Sequence, residues 1–409
     1  MARMLGGWSP DFRRVLAAFA VSSLGTKIAR EAVPLTAVLV LQAGPGAMSL
    51  LGVAATLPAL LFGLFAGVFA DRHRRRPLMI AADLIRFVAL GSVPVAAWLG
   101  MLTTAQLVIV VIAVAALSLL FNAADTAFLP SLVGRDRLVR ANAARESIDS
   151  TAEVIGPPIG GVLVQVVTAP LTLLIDALSY LASAGLLLRI RPVETPSPAP
   201  AASRRVLREI AEGLGVLWHQ PILRPLLFAR AIRTFFGGMF GPFYVLYVIQ
   251  HLGVTPAVMG LIIACGGIAS LAGAAMVPWL NARLPVGPGL IGAFAVKTVG
   301  LAMLPLAGVL PAWTLALLVL QQVLQDAVTG YFAVNERSLR QTLTPNHQLG
   351  RVAATIAVVN DGPVPLGALI AGLLTQATSV DAVLWIAVAG YAFSPVVAFL
   401  SPVRRLRTV

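Results

Sequence analysis

The sequence predicts an all-α membrane protein with twelve transmembrane helices in two pseudo-symmetric six-helix bundles. Three observations support this fold class: long apolar blocks, arginines confined to alternate connections, and an internal repeat. The chain of 409 residues is 58% hydrophobic and only 11% charged, whereas soluble domains are about half apolar and a quarter charged. Its apolar residues come in blocks long enough to cross about 30 Å of hydrocarbon.

The apolar blocks must be helical. A backbone in hydrocarbon has to satisfy its own hydrogen bonds, and no block alternates like the strand of a membrane barrel. Grouping the blocks predicts three parts: an N-terminal bundle over 1–190, a linker over 191–224 and a C-terminal bundle over 225–409. The predicted spans are 15–41, 48–70, 78–100, 105–127, 142–167, 171–190, 225–250, 257–281, 288–307, 312–332, 352–376 and 381–400.

The arginines between the spans predict the orientation. They occur in every second connection, and the alternate connections contain no Arg or Lys. By the positive-inside rule, this pattern predicts a multi-pass protein of the cytoplasmic (inner) membrane with both termini in the cytoplasm, which requires an even number of spans. The basic connections contain Arg13, Arg14, Arg72, Arg74, Arg75, Arg76, Arg135, Arg137, Arg140, Arg191, Arg204, Arg205, Arg208, Arg283, Arg337, Arg340, Arg404, Arg405 and Arg407.

The linker is the only sizeable polar segment. It opens with the proline-rich stretch 192–203, which cannot form a helix core, and continues with apolar residues at helical spacing over 206–218. The pattern predicts an amphipathic helix on the cytoplasmic membrane face. A packing linker without a role of its own is the alternative.

The two halves repeat with an offset of 211 residues. The offset places Asp125 on Glu336 and Gly156 on Gly367, and it keeps the spacing through a loop and a whole span. Such repeats are typical of transporters that rock one half against the other around a site near the midplane. The repeat therefore predicts that the protein moves a small solute.

The loop between the second and third spans carries a recognisable motif. It reads Gly67-Val-Phe-Ala-Asp71-Arg72-His-Arg-Arg75-Arg76, which resembles the signature loop of the major facilitator superfamily, except that an arginine replaces the second glycine. Gly67 can permit close helix approach, and the Asp71 carboxylate can accept bonds from helix N-terminal N–H groups and from the arginines. The resemblance implies the major facilitator fold and a cytoplasmic latch that favours the outward-facing state. It also assigns to the latch an acid at the end of the fourth span, Asp125.

The fifth span carries a second motif, Gly156-Pro157-Pro-Ile-Gly160-Gly161. It resembles a motif of the drug–proton antiporters in this superfamily, and together with the overall layout it is similar to the macrolide-efflux and siderophore-exporter branch. Proline bends a helix and glycine lets a facing helix come close, which suits a moving interface. The antiporter pattern includes an arginine in the fourth span that is missing here, which puts proton coupling through the usual route in doubt.

Ionisable side chains inside the N-terminal spans are functional candidates because they are costly there. Lys27, Arg30 and Glu31 lie in the first span, where Glu31 and Lys27 are four residues apart and could pair. A carboxylate that exchanges a lysine partner for a proton would couple transport to protons; a permanent ion pair is the alternative. In the fifth span, Asp149 and Glu153 share a face, and the deeper Glu153 is the stronger candidate.

The C-terminal half supplies Asp326 and Asp361 as deep acids, with Arg230, Arg233 and Lys297 as possible counter-ions. Asp83 and Arg86 are interpreted as structural, and Asp176 is interpreted as deep but isolated, without an assignment. Because both signs of charge occur in similar number, neither cationic nor anionic substrates are singled out.

The sequence also narrows the class of protein. The net charge of +13 does not indicate nucleic-acid binding, because no soluble segment clusters the basic residues. The dispersed histidines and single cysteine indicate no metal site, and no phosphate-binding loop is present. We expect no cofactor and no enzymatic activity.

The sequence thus predicts a monomeric secondary active transporter in the lipid bilayer. It would export a small amphipathic organic compound, drug-like or siderophore-like, by proton antiport with alternating access. An uncoupled facilitator or importer of the same fold remains an alternative, as does a sensor or scaffold that no longer transports.

Overall fold

The computed structural model describes residues 8–190, 214–345 and 348–407, apart from a few side chains within them, Asp71 among these. Every long element in these ranges is a helix, as the sequence predicts. The helices of the N-terminal half are α1 (Pro10–Leu39), α2 (Pro45–Arg72), α3 (Arg75–Trp98), α4 (Thr104–Val133), α5 (Leu138–Val167) and α6 (Ala169–Leu188).

The C-terminal half has the same order of spans, but several of them are interrupted. A π-helical turn, Tyr247–His251, extends the first of these helices, and later spans divide into pairs of shorter helices. The helices are α7 (Leu223–Leu246), α8 (Pro256–Ala275), α9 (Val277–Arg283), α10 (Val286–Val309), α11 (Thr314–Leu343), α12 (Leu349–Asp361), α13 (Pro363–Leu374), α14 (Val380–Tyr391) and α15 (Phe393–Phe399).

The twelve predicted spans all correspond to helices. Ten helices of the described residues are long and apolar enough to cross a membrane. The other two spans are α1, which at 30 residues is about 45 Å long but contains several charges, and the shorter apolar segment over α12 and α13. Large apolar side chains such as Val88 and Val166 remain more than 60% exposed, as expected where lipid covers the surface.

Local sequence explains where the helices begin and break. The Thr103 hydroxyl accepts a bond from the Gln106 N–H and caps α4, and Ser379 caps α14 in the same way. Pro363 has no N–H to donate to the Val359 carbonyl one turn earlier, and α12 ends just before it. The hydroxyl of Thr234 on α7 lies 3.4 Å from that carbonyl and 3.0 Å from the Arg230 carbonyl of its own helix.

The chain forms two compact units. Unit 1 comprises Met1–Ala43, Leu57–Ser203 and Thr255–Leu261; unit 2 comprises Gly44–Thr56, Arg204–Val254 and Ile262–Val409. Each unit has its own apolar core. Phe12 and Phe128 are buried in unit 1, and Phe294 and Leu290 are buried in unit 2.

The predicted linker lies mostly outside the described residues. Residues 214–219 are helical, and Leu217 is buried among apolar residues of unit 2 together with Leu223 and Val352. The domain boundaries drawn from the sequence therefore stay a prediction.

Candidate functional site

Close packing of α1 against α5 creates the first candidate site, and two glycines of α5 permit it. A Cβ atom added at Gly156 would lie 2.5 Å from the Cβ of Lys27, and one added at Gly160 would lie 2.7 Å from the Ile28 carbonyl oxygen. No side chain fits at either position without moving a helix. The glycines of the fifth-span motif, Gly156 and Gly160, thus set the spacing of these two helices.

Five charged side chains meet one turn away from Gly156. The Lys27 ammonium lies 2.5 Å from the Glu153 carboxylate and 3.5 Å from Asp149. The Arg30 guanidinium lies 2.7 Å from the second Glu153 oxygen and 3.3 Å from Glu31. We call Lys27, Arg30, Glu31, Asp149 and Glu153 the α1–α5 charge cluster.

The α1–α5 charge cluster has three carboxylates for two cations. Glu153 bridges both cations, and the Ser23 hydroxyl donates to Asp149 at 2.7 Å. Asp149 and Glu153 keep 44% and 39% of their side chains exposed, so solvent or a ligand can reach them. A group with excess negative charge and open access can bind a cation or a proton.

The structure rearranges the pairing expected from the sequence. Lys27 and Glu31 do not pair among the described contacts: Lys27 turns to α5, and Glu31 contacts Arg30 beside it in the chain. Helical spacing alone could not reveal this, because the better partners come from another helix. Glu153 thus holds the central position in the cluster.

The candidate acids of unit 2 lie at two different places. An added Cβ at Gly266 of α8 would meet the Asp326 carboxylate, so Asp326 fills the space that this glycine leaves. On α10, the buried Lys297 donates to Thr329 at 2.8 Å. Asp361 is exposed at the end of α12, where the span breaks.

Arg233 and its neighbour Arg230 both contact α11 of unit 2. Each guanidinium lies about 6 Å from the Phe332 ring, and Arg230 also forms an ion pair with Glu336. Arg230, which the sequence offered only as a possible counter-ion, thus has a specific partner.

The predicted latch loop is only partly described. Arg75 donates to the Ala127 carbonyl of α4 at 2.8 Å, and Arg76 donates to the last carbonyls of α6, Leu187 and Leu188, at 2.9 and 2.7 Å. Arg72 is exposed at the end of α2. The Asp71 side chain lies outside the described part, so its role stays a prediction.

The role predicted for Gly67 in the latch loop stays a prediction. An added Cβ at Gly67 would have no described atom within 4 Å. Close approaches in unit 1 occur on α5, at Gly156 and Gly160, and on α1, at Gly25.

The repeated acids each have an arginine partner, but from different helices. Asp125 on α4 pairs with Arg145 on α5, whose guanidinium lies 4.4 Å from the Phe19 ring on α1. Glu336 pairs with Arg230 on α7. With the 211-residue offset, Arg230 of unit 2 corresponds to Phe19 of unit 1. The position that supplies the cation in unit 2 therefore holds an aromatic residue in unit 1.

Sequence reasoning missed a buried polar group between α3 and α6. Asp83, Arg86 and Asp176 are at most 4% exposed and belong to one region with Tyr180. The interpretation of Asp176 as isolated is wrong, since the Ser179 hydroxyl lies 3.1 Å from its carboxylate. The contact of Arg86 with the Tyr180 ring joins α3 to α6, so the spacing of these residues in sequence gave no sign of it.

Two compact helical units with ionisable groups on the first and fifth helices are typical of a multi-pass membrane transporter. Among the parts of the chain that the structure describes, no group of three or more His, Cys, Asp or Glu could hold a metal ion.

Comparisons with known proteins agree with this class. Residues 8–408 match the family described as transmembrane secretion effector. The chain is 30% identical over 361 residues to the multidrug efflux pump Tap of Mycobacterium tuberculosis, covering 84% of this chain and 82% of that protein. It is 29% identical over 189 residues to the macrolide efflux protein A of Enterococcus faecalis, covering 46% and 57%.

Solved structures share the fold. The nucleoside transporter NupG superposes with a TM-score of 0.72 at 10% identity, covering 96% of this chain and 98% of that one. An inward-facing bacterial homologue of the iron transporter ferroportin superposes with a TM-score of 0.66 at 17% identity, covering 95% and 98%.

The chain belongs to the transmembrane secretion effector family of the major facilitator superfamily. It is a multi-pass membrane transporter of small molecules and not an enzyme. The resemblance to efflux proteins of this superfamily, read from the loop and fifth-span motifs, is confirmed.

Proposed function

We propose that the protein exports a small amphipathic organic compound in exchange for protons by alternating access. The observation that carries the proposal is the α1–α5 charge cluster, in which three carboxylates, two of them partly exposed, face two cations. The relatives named for multidrug and macrolide efflux support an amphipathic drug-like substrate.

Glu153 is the proposed coupling residue. Its two carboxylate oxygens bond to Lys27 and to Arg30, so a proton on Glu153 would weaken both pairs at once. Asp149 and Glu31 remain to balance the two cations after Glu153 is protonated. Protonation would therefore leave an electrically neutral group, whereas the ionised group attracts a cation.

The packing of α5 supports alternating access. Gly161 meets the backbone at Pro256, and Gly260 meets the backbone at Pro157, so the beginning of α8 packs within unit 1 on glycine contacts. The remainder of α8 belongs to unit 2. We propose that these glycine contacts separate when the transporter changes state, since small residues let backbones touch without interlocking.

The transport test uses the full chain in sealed vesicles with a macrolide antibiotic as the probe. We expect probe uptake to release protons in the opposite direction, measured with a fluorescent pH indicator. Glu153→Gln should abolish the proton flux, and Glu31→Gln, Asp149→Asn and Asp361→Asn are tested singly beside it. Glu146→Gln is the matched control, because Glu146 is an exposed acid on the same helix.

Each outcome separates the alternatives. Probe transport without proton movement in the unmodified protein would replace the antiporter with an uncoupled facilitator. Absence of transport for a panel of amphipathic compounds would favour the sensor or scaffold. Intact coupling in all four variants would refute the role of these carboxylates.

We further propose that the protein works as a monomer in the inner membrane with both termini in the cytoplasm. The arginine-rich connections support the orientation. Cys265 is the only cysteine, so Cys265→Ser provides a background for single cysteines in successive loops. Labelling of the arginine-rich loops from the outside of intact cells would overturn this orientation.

A further inference from the structure

The buried polar group between α3 and α6 lies inside the membrane-spanning part of unit 1. Asp83 is 0%, Asp176 is 2% and Arg86 is 4% exposed. Asp176 is the eighth residue of the twenty in α6, and Asp83 is the ninth of the twenty-four in α3, so neither is near a helix end. We call Asp83, Arg86, Asp176 and Tyr180 the buried acid cluster.

Arg86 forms an ion pair with Asp83. One of its terminal nitrogens bonds to the Asp83 carboxylate, and the other donates to the Ser118 hydroxyl at 3.2 Å. The guanidinium also lies 4.6 Å from the Phe121 ring and 4.3 Å from the Tyr180 ring. These contacts fix its position between the two rings, and the Asp83 carboxylate balances its charge.

Asp176 has neighbours of a different kind. Its carboxylate accepts from the Ser179 hydroxyl at 3.1 Å and interacts with the Tyr180 hydroxyl. It also faces Gly25 of α1, where an added Cβ would lie 2.7 Å from the carboxylate oxygen. Hydroxyl groups can donate or accept, so they suit either protonation state of the acid.

Counting charges shows that the buried acid cluster needs a proton. Two carboxylates and one guanidinium would leave a net negative charge, and an unbalanced buried charge costs several kcal/mol. The charge of Arg86 on α3 also acts on Asp176, and the other facing groups, Gly25 and Thr26 of α1 and Ser118 of α4, carry no charge. One proton makes the cluster neutral, and Asp176 is the acid without a direct ion pair among the described contacts.

A chain of hydroxyl groups leads from Asp176 to the exposed face of α1. The Tyr180 hydroxyl lies 3.2 Å from the Thr26 hydroxyl, and Thr26 is exposed. Thr26 precedes Lys27, a member of the α1–α5 charge cluster. The residues of α1 between Ser23 and Arg30 therefore contact α5 on one face and Asp176 and Tyr180 on another.

We propose that Asp176 is a second proton-binding site, which exchanges its proton through Tyr180 and Thr26 and is linked by α1 to the α1–α5 charge cluster. The role of Asp176 in coupling rests on the proposed antiport. The binding of a proton by Asp176 does not depend on that proposal. Movement of α1 would change the surroundings of both acidic groups together, so the two sites would respond to the same transition.

The first test measures protonation without transport. Infrared spectra of the purified full chain at neutral pH should show the carbonyl band of a protonated carboxylic acid. Asp176→Asn should remove this band, and Glu146→Gln should leave it unchanged. Thr26→Val keeps the acid but cuts the hydroxyl chain, and it should slow the shift of the band in deuterium oxide. A spectrum of Asp176→Asn that matches the unmodified protein would overturn the proposal.

The second test measures coupling in the vesicle assay. With a proton gradient imposed, Asp176→Asn should lower proton counterflow to the level of protein-free vesicles while exchange of labelled probe continues. If proton movement is coupled to transport equally in the unmodified protein and in Asp176→Asn, the inferred role of Asp176 in coupling is refuted.

If the unmodified protein moves no protons, the proposed antiport fails, and the infrared band alone decides whether Asp176 binds a proton. If Asp176→Asn does not fold, Thr26→Val takes its place, and unaltered band exchange and coupling in it would overturn the proposal.

Discussion

Replacing Gly156 with alanine tests whether the contact between α1 and α5 sets the geometry of the α1–α5 charge cluster. The added Cβ would lie 2.5 Å from the Lys27 Cβ and 3.2 Å from the Lys27 carbonyl carbon. Carbon atoms pack best at about 3.5–4.0 Å, so the two helices have to separate by roughly 1 Å at this point. Overpacking of this kind costs about 1–3 kcal/mol.

The same movement should disturb the ion pairs one turn away. Glu153 lies 2.5 Å from Lys27 and 2.7 Å from Arg30, and a displacement of about 1 Å exceeds the tolerance of a hydrogen bond. We therefore expect Gly156→Ala to lower both the thermal unfolding midpoint and proton-coupled transport.

Gly185→Ala is the matched control for this experiment. Gly185 lies in α6, and an added Cβ there would have no described atom within 4 Å. Alanine is favoured over glycine in a helix by about 1 kcal/mol, so the control should be neutral or slightly more stable. Equal unfolding midpoints for Gly156→Ala and Gly185→Ala would refute the reasoning, as would full coupling in Gly156→Ala.

Two further predictions concern the arginines of unit 1. Arg145→Ala leaves Asp125 buried without its ion-pair partner and should lower the free energy of unfolding by about 3–5 kcal/mol. Adding Asp125→Asn should restore most of this loss in thermal unfolding, and an absence of rescue would contradict the pairing. Arg76→Lys should lower the unfolding midpoint nearly as much as Arg76→Ala, because only the forked guanidinium reaches the carbonyls of both Leu187 and Leu188. Full stability of Arg76→Lys would show that charge alone is sufficient.

The fold was predictable because the bilayer imposes simple rules on the sequence. Three rules apply to short stretches of chain: a span must be long enough to cross the bilayer, its backbone must satisfy its own hydrogen bonds, and arginines lie in the cytoplasmic connections. Each rule can therefore be applied to one segment of the sequence at a time. The α1 span shows that the arginine pattern can identify a span that hydropathy misses. Its charges exclude it from the helices selected by length and hydropathy, yet its place between the basic residues Arg13 and Arg14 and the connection at 42–47, which has no Arg or Lys, predicts a span.

The pairing of charges was less predictable, because it depends on contacts between distant helices. Glu31 and Lys27 have the spacing of a helical ion pair, but Gly156 brings α5 so close that Glu153 and Asp149 reach Lys27 instead. The glycine motif was visible in the sequence. Its consequence for the neighbouring lysine required the geometry of two helices.

The repeated acids show how a repeat can keep an interaction while changing its partners. Asp125 and Glu336 are related by the 211-residue offset, and each needs a cation because each is largely buried. Unit 1 takes the cation from α5, and the arginine packs on Phe19; unit 2 places an arginine at the position equivalent to Phe19. Selection for a neutral ion pair constrains the sum of charges at the site, and it leaves open which helix supplies the cation. A comparison of the two halves residue by residue therefore finds the acid and overlooks its partner.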